Sequence, residues 1–506
     1  METLRKRIRV KTDVKEPIPL NDSLENQPLS PVARMFHEPD SDVYIIAIIG
    51  GKTKINPEVV KERLPHTLLR HPRFSSLQVA DEKNGGRLIW VPTKVNLDDH
   101  VIVPELDPNS NDSPDKFVED YVSNLSKNRI KMSMPMWDLH LLNLKTSDAE
   151  SVGVFRIHHS LGDGASLMSL FLASTQKVSN PEELPTLPLF KKVNFSNSSG
   201  GFWGKLIKLW LVMSLFWNTL VDVVMFLATA FKLLGDTKTP LKGTLETGSN
   251  PRRIVHRSVC FDDIKLVRNA MGSTINDVML GITQAALSRY LNRKYGACNK
   301  IDEGSSERSN NLPNNICLRA TFFINIRPIP GIPELADMMK KGTKAKWGNE
   351  IGYLIYPFTI GLRDNPLDYL REAKATMDRK KKSLEALFSY FFAKYFLKFC
   401  GISWLAFHLK QHCGSQICLD PKKNQFLWPS SGLFSPKLLW QPNFISFYQP
   451  NSEINIEGID SCCRLCQQMT FVLSVDDGII PDPHQLCDDL EISQNYQTCS
   501  RYWRTG

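Results

Sequence analysis

The stretch Val154–Ser166, VFRIHHSLGDGAS, carries the strongest chemical signal in the chain. Its alternation predicts a strand with Phe155, Ile157 and His159 on one face and Val154, Arg156 and His158 on the other. The two adjacent histidines at the strand end therefore serve different environments. The one that reaches a solvent channel can act as a base, since an ordinary pKa of about 6.5 leaves its imidazole neutral near neutral pH. Asp163-Gly164 closes the turn: glycine permits a tight return, and the carboxylate can hold the loop through an arginine or a backbone N–H. A helix rich in Ser, Leu and Met is then expected from about Ala165 to Gln176. A strand, a chemically loaded turn and a helix in that order indicate α/β or α+β layering.

The flanking sequence continues this pattern. VYIIAIIGG (Val43–Gly51) reads as a buried strand, and Asn56 with Pro57 starts a helix expected to reach about His71. Short strands are expected near Ser76–Val79 and Arg87–Val95, and Ser113 with Pro114 opens another helix. Trp137–Leu144 and Ser151–His158 are the next strands. Later strands are expected at Arg252–Val259, Leu318–Ile326, Ile351–Ile360 and Met469–Val475. The intervening helices are Phe261–Ala270, Ile275–Tyr295 stopped by Gly296, Pro366–Ser383 and Pro483–Ser493. The polar stretch Ala297–Asn315 reads as an exposed loop.

Leu209–Phe231 is a 23-residue run with Asp222 as its only charge, preceded by Lys205 and Lys208. As a helix it reaches about 30 Å, enough to cross a bilayer. Ser214, Asn218 and Asp222 recur every four residues and form one polar stripe, with Thr229 near its continuation. A buried Asp costs roughly 2.5 to 3.5 kcal/mol on insertion scales. Three placements remain open: a span, a helix lying in the interface plane, or a helix packed on the protein with its stripe satisfied there. Ser383–Leu409, aromatic but interrupted by Glu385, Lys394, Lys398 and His408, fits an amphipathic helix better than a span.

Composition sets the outer limits. At 506 residues, 42% hydrophobic and 23% charged, the chain suits a folded protein of two domains or one large pseudo-duplicated unit, not a fibre or disordered tail. A net charge of +9 (62 basic less 53 acidic residues) favours anionic partners mildly and is too dilute to indicate nucleic acid. Eleven scattered cysteines argue against a disulfide scaffold, and the Cys462, Cys463 and Cys466 cluster lacks a second ligand pair, so no metal is expected. The basic segment Met1–Lys15 is not followed by an apolar core of the kind a secretory signal needs, which predicts a cytosolic start.

HHxxxDG between a strand and a Ser-rich helix resembles the signature of the coenzyme A-dependent acyltransferase superfamily. PLSPVARMF (Pro28–Phe36), PMWDLHLL (Pro135–Leu142), GSTINDVMLGITQAALSRYL (Gly272–Leu291) and NIRPIPGI (Asn325–Ile332) extend the match. WGNEIGYLIYPF (Trp347–Phe358) and VLSVDDGIIPDPHQLCDDL (Val472–Leu490) complete a resemblance to plant-type wax ester synthase/diacylglycerol acyltransferases from about residue 28 to 490. The resemblance implies two chloramphenicol-acetyltransferase-like halves, residues 28–195 and 251–495, joined by a hydrophobic crossover at 196–250. It implies His159 as general base on a long-chain alcohol or diacylglycerol, with acyl-CoA as co-substrate and no other cofactor. His158 and Asp163 become supporting residues and Gly164 the turn-former, while Pro135, Trp137, Asn276 and Asp277 become candidates for the substrate channel. Membrane lipid is the remaining expected partner, with an endoplasmic reticulum or plasma membrane site and both halves facing the cytosol. The hydroxycinnamoyl-type branch is disfavoured because its Asp-Phe-Gly-Trp-Gly run is missing.

One departure stands out. FLWPSSGLFSPKLLWQP and Asn451–Gln468 look foreign to the family, and Gln449-Pro450 replaces an expected glycine run. This segment predicts a divergent lid or a poorly closed second half, and it motivates an alternative reading as a non-catalytic lipid-binding or acyl-CoA-binding paralogue.

Overall fold

The computed structural model describes residues 27–37, 43–105, 113–173, 202–231, 233–241, 252–299, 310–326, 347–399 and 468–498, with strand backbones at 417–420, 428–429, 434–440, 444–448 and 450–451. In chain order the strands are β1 (Tyr44–Gly51), β2 (Ser76–Asp81), β3 (Arg87–Pro92), β4 (Val101–Ile102), β5 (Trp137–Leu142), β6 (Ser151–His158), β7 (Arg252–Cys260), β8 (Ile316–Asn325), β9 (Ile351–Ile360), β10 (Ile417–Asp420), β11 (Trp428–Pro429), β12 (Phe434–Trp440), β13 (Phe444–Tyr448), β14 (Pro450–Asn451) and β15 (Gln468–Asp476). The helices are α1 (Pro31–Met35), α2 (Pro57–Arg63), α3 (Leu97–His100), α4 (Pro114–Lys127), α5 (Gly164–Ala173), α6 (Phe202–Ala230), α7 (Phe261–Ala270), α8 (Ile275–Asn299), α9 (Leu367–Lys380), α10 (Glu385–Phe399) and α11 (Pro483–Thr498).

Two mixed sheets form the halves. The first runs β12-β1-β6-β5-β4 and the second β7-β15-β13-β10-β8-β9. β1 is buried along nearly its whole length, as its unbroken apolar run requires. Ser30, Asn56 and Ser113 each cap a helix that has proline in its first turn. Two helix ends differ from expectation. α2 stops at Arg63 because Pro65 lacks the N–H that would continue the helical ladder after Leu64; three short 3-10 turns carry the chain to Ser75. α8 continues through Gly296 to Asn299, so glycine does not end it.

The foreign segment proves structural. FSPKLLW forms β12, which pairs antiparallel with β1 from Ile45↔Trp440 to Gly51↔Phe434, so the first sheet takes an edge strand from beyond residue 251. Phe444–Tyr448 pairs with β15 in the second sheet. Residues 452–467, including the cysteine cluster, and most of the 297–315 loop lie outside the described residues.

Arg156 fastens α4 to the first sheet. It is buried, pairs through two nitrogens with Asp138, and donates at 2.7 Å to the carbonyls of Leu125 and Asn128 at the end of α4. On its other side α4 meets the second sheet, where Ser123 Oγ accepts from Ile254 N at 3.0 Å.

α6 lies on the C-terminal half along the expected polar stripe. Asp222 is fully buried and receives Arg379 Nη1 at 2.8 Å and Lys380 Nζ at 2.9 Å. Lys380 also reaches Glu385 Oε2 at 2.7 Å, and Glu385 Oε1 accepts from Ile355 N at 3.0 Å. Farther along, Thr229 accepts from Arg319 at 2.6 Å. Of the charges that interrupt α10, Glu385 is thereby explained. Its Glu385 and Ser389 satisfy the backbone of edge strand β9 at Ile355 and Tyr353. The helix sits so close that a Cβ at Gly352 would fall 1.9 Å from Ala386 O. The opposite face of α6 is exposed and apolar, with Trp203 at 76%, Trp210 at 63% and Trp217 at 64% exposure.

Candidate active site

The motif loop sits at the seam between the halves. His158, last residue of β6, caps the 3-10 turn His159–Leu161. Its Nε2 lies 3.0 Å from the Phe36 carbonyl, which can only accept, so Nε2 carries the proton. Its Nδ1 then accepts from Ser160 Oγ at 2.7 Å and from Ser160 N at 3.3 Å. Ser160 Oγ in turn accepts from Gln78 Nε2 at 2.8 Å. Both nitrogens of His158 are thus committed to holding the loop.

His159 faces the other way. Its backbone N–H donates to Val43 O at 2.9 Å, extending the β1–β6 ladder past the strand end. Its ring is buried and stacks on Phe36 with centroids 4.1 Å apart. Its carbonyl accepts from Asn349 Nδ2 at 3.1 Å, a contact from the C-terminal half. Asp163 binds both halves through backbone groups: Oδ1 accepts from Ser166 N at 2.9 Å, capping α5, and Oδ2 accepts from Glu350 N at 3.1 Å. Gly348 O accepts from Ser166 Oγ at 3.2 Å.

Leu161 O receives Arg73 Nη1 at 3.0 Å and Trp347 Nε1 at 2.6 Å. Burial pushes the Arg73 guanidinium down to about 10, opposed by the Asp163 carboxylate, so it stays charged at neutral pH. The indole of Trp347 lies on Gly162, where a Cβ would meet it at 3.1 Å. Gly162, therefore, is the glycine this close approach requires; Gly164, expected to form the turn, is the first residue of α5. Trp347 also stacks on His71, whose imidazole burial pushes down to about 3.

The other expected site residues lie at different depths. Pro135 and Trp137 belong to the base of the loop: Met136 O accepts from His158 N at 2.9 Å, and Trp137 is wholly buried, donating Nε1 to Phe74 O at 2.9 Å. Trp137 thus reaches the site through backbone and packing. Asn276 and Asp277 start α8 in the C-terminal half. Asp277 exchanges capping bonds with Thr274 and lies 3.6 Å from Lys381. The sequence reading missed Phe36, Arg73, Trp347 and Asn349. Phe36 and the WGNE block were visible as matched motifs, but nothing in the sequence brings them to His159. Among the described residues no cluster of His, Cys, Asp or Glu could hold a metal ion.

What the arrangement offers is one histidine fixed in place by hydrogen bonds and a second whose buried ring stacks on Phe36, with backbone clamps from both halves. Residues 50–279 match the model of the wax ester synthase/diacylglycerol acyltransferase catalytic domain, and residues 347–418 match that of the WS/DGAT C-terminal domain. The chain is 42% identical to wax ester synthase/diacylglycerol acyltransferase 11 of Arabidopsis thaliana, with 93% of this chain and 94% of that protein covered. It is 43% identical to number 5 of the same plant, covering 93% and 92%. In fold it is similar to the wax ester synthase/diacylglycerol acyltransferase from Marinobacter aquaeolei, with TM-score 0.53, 17% identity and coverage of 94% and 99%. It is similar also to the first condensation domain of the calcium-dependent antibiotic synthetase, with TM-score 0.52, 10% identity and coverage of 94% and 97%. On these matches, and with its HHxxxDG loop intact at the seam, the chain belongs to the wax ester synthase/diacylglycerol acyltransferase family.

Proposed function

We propose that the protein transfers a fatty acyl group from acyl-CoA to the hydroxyl of a long-chain alcohol, with diacylglycerol as a second acceptor. His159 takes the hydroxyl proton as the oxygen attacks the thioester carbonyl. The tetrahedral intermediate collapses, the carbon–sulfur bond breaks, and the imidazolium returns the proton to the coenzyme A thiolate. No acyl-enzyme is needed. Positioned general base catalysis of this kind contributes roughly 10² to 10⁴ in rate. The observation that supports this reading most is the division of labour between the histidines: His158 spends both nitrogens on Phe36 and Ser160, while His159 is held by its backbone from Val43 and Asn349. The test supplies acyl-CoA together with either a fatty alcohol or diacylglycerol and measures ester. Acyl-CoA binding without either product would favour the non-catalytic paralogue.

A second part of this reading concerns the membrane. Asp222 and Thr229 are bonded to the C-terminal half, so α6 presents to its surroundings only the face bearing Trp203, Trp210 and Trp217, with Lys205 and Lys208 exposed near its start. Aromatic and basic residues on one exposed apolar face suit the headgroup boundary of an anionic bilayer, with the helix lying in the plane. Crossing the bilayer would break the Asp222 ion pairs. The endoplasmic reticulum, with both halves on its cytosolic side, is our proposed site. Flotation with phosphatidylcholine–phosphatidylserine vesicles tests the docking. The intact chain should float and carbonate should release it, while Trp210→Ser with Trp217→Ser should stay in the soluble fraction; carbonate-resistant protein would contradict the in-plane placement.

A further inference from the structure

A closed circuit of hydrogen bonds stands behind the motif loop. His158 sends its Nε2 proton to the Phe36 carbonyl at 3.0 Å, and a carbonyl can only accept. The direction of every other link follows from that one. His158 Nδ1 is left as an acceptor, so the Ser160 hydroxyl spends its proton there at 2.7 Å and accepts from Gln78 Nε2 at 2.8 Å. Gln78 Oε1 also lies 3.0 Å from Ser160 Oγ, but the single hydroxyl proton goes to the closer imidazole. With its N–H turned to Ser160, the Gln78 amide presents Oε1 to His37, whose Nε2 donates to it. Phe36 and His37 are adjacent at the end of α1, so the bonds that leave residue 37 return to residue 36. Gln78, Ser160 and His158 are all buried, and bonds aligned head to tail in such surroundings strengthen one another.

The circuit meets the catalytic loop's second histidine through an aromatic stack. The Phe36 ring lies on the imidazole of His159, with centroids 4.1 Å apart, while the His37 ring lies against His158 at 4.4 Å. Gln78 reaches both sides of this pair from β2, 41 positions from His37 and 82 from Ser160. We propose that Gln78 is a positioning residue for acyl transfer. Through Ser160 and His158 on one side and His37 on the other it holds the backbone of residues 36 and 37, and so keeps the Phe36 ring against His159. The proposal rests on the reading of His159 as the general base. A stack acts on the face of an imidazole and fixes its plane without making demands on its nitrogens. The amide is suited to the task because it supplies an N–H to one neighbour and a carbonyl to the other, which a methionine of similar length cannot do.

The test measures ester formation by the full chain from acyl-CoA and a long-chain alcohol, with kcat, KM and melting temperature recorded for each variant. Gln78→Met should lower kcat about 10- to 100-fold and leave KM for acyl-CoA within about twofold, because the base is displaced while the donor keeps its contacts. In a Phe36→Leu background, where the stack is already gone, Gln78→Met should lower kcat by no more than about twofold further, since both changes act along one chain of contacts. His37 is half-buried and carries the test if Gln78→Met does not fold. His37→Leu should lower kcat about fivefold, the worth of one neutral hydrogen bond, and His37→Gln, which again offers an N–H to Gln78, should recover most of that loss. Wild-type kcat in folded Gln78→Met, losses that multiply in the double variant, or equal losses in His37→Leu and His37→Gln would each overturn the proposal. A folded His159→Ala chain that turns over at the wild-type rate would instead defeat the reading of the base on which it rests.

Discussion

His158 and His159 differ by one position, and the strand pleat gives them opposite duties. Alternation alone predicts the opposite faces, and that much was legible in VFRIHHSLGDGAS. That His158 is committed to holding the loop depended on partners 36 and 160, and a short sequence window holds only the second. The role of Asn349 was not legible: its bond to the His159 carbonyl joins residues 190 positions apart and exists only once the halves dock. Asn349 acts on the backbone of the base and is a positioning residue. Asn349→Ala should lower kcat about 10- to 100-fold with KM little changed, the signature of a base displaced by a fraction of an ångström. Wild-type kcat in a folded variant would show that the clamp is dispensable.

At the scale of elements, the periodicity of α6 told more than its hydrophobicity. Length and apolar content suit a membrane span, but Ser214, Asn218 and Asp222 at four-residue spacing marked a face that needed polar company. The sequence could not name that company, because Lys380 and Glu385 lie on two later helices. Asp222→Ala would leave Lys380 buried at the junction of α6, α9 and α10 with half its compensation gone. Breaking a buried pair from one side typically costs 3 to 5 kcal/mol. Denaturant unfolding in detergent should register a loss of that order, about 3 kcal/mol or more; a change below about 1 kcal/mol would mean the charges are not buried together. Helix starts were legible from Asn56 and Ser113, whereas the early end of α2 came from Pro65, whose effect the apolar pattern overrode in the reading.

Across the whole molecule, the two-half plan was legible, but not how the halves interlock. β12 leaves the C-terminal half to pair with β1, and Trp347 leaves it to lie over Gly162 and His71. The His71–Trp347 contact makes the seam acid-sensitive. His71 has its pKa lowered from 6.5 to about 3 by burial, so it is neutral when folded and takes up a proton when unfolded. Below pH 6.5 the unfolded state binds more protons than the native state, and stability falls by about 1 kcal/mol per pH unit from this group until its folded pKa is reached. Above pH 6.5 its contribution is fully present. His71→Phe, which keeps the ring on Trp347, should flatten the dependence of stability on pH between 4 and 6.5; an unchanged slope would place the sensitivity elsewhere.

The most direct test of the account is the rate of ester formation from acyl-CoA and a long-chain alcohol by His159→Ala, set beside its melting temperature and acyl-CoA affinity. With His159 as the general base, the rate falls by roughly 10² to 10⁴ while fold and donor binding are kept. Turnover near the wild-type rate in that folded variant would contradict the assignment of the base.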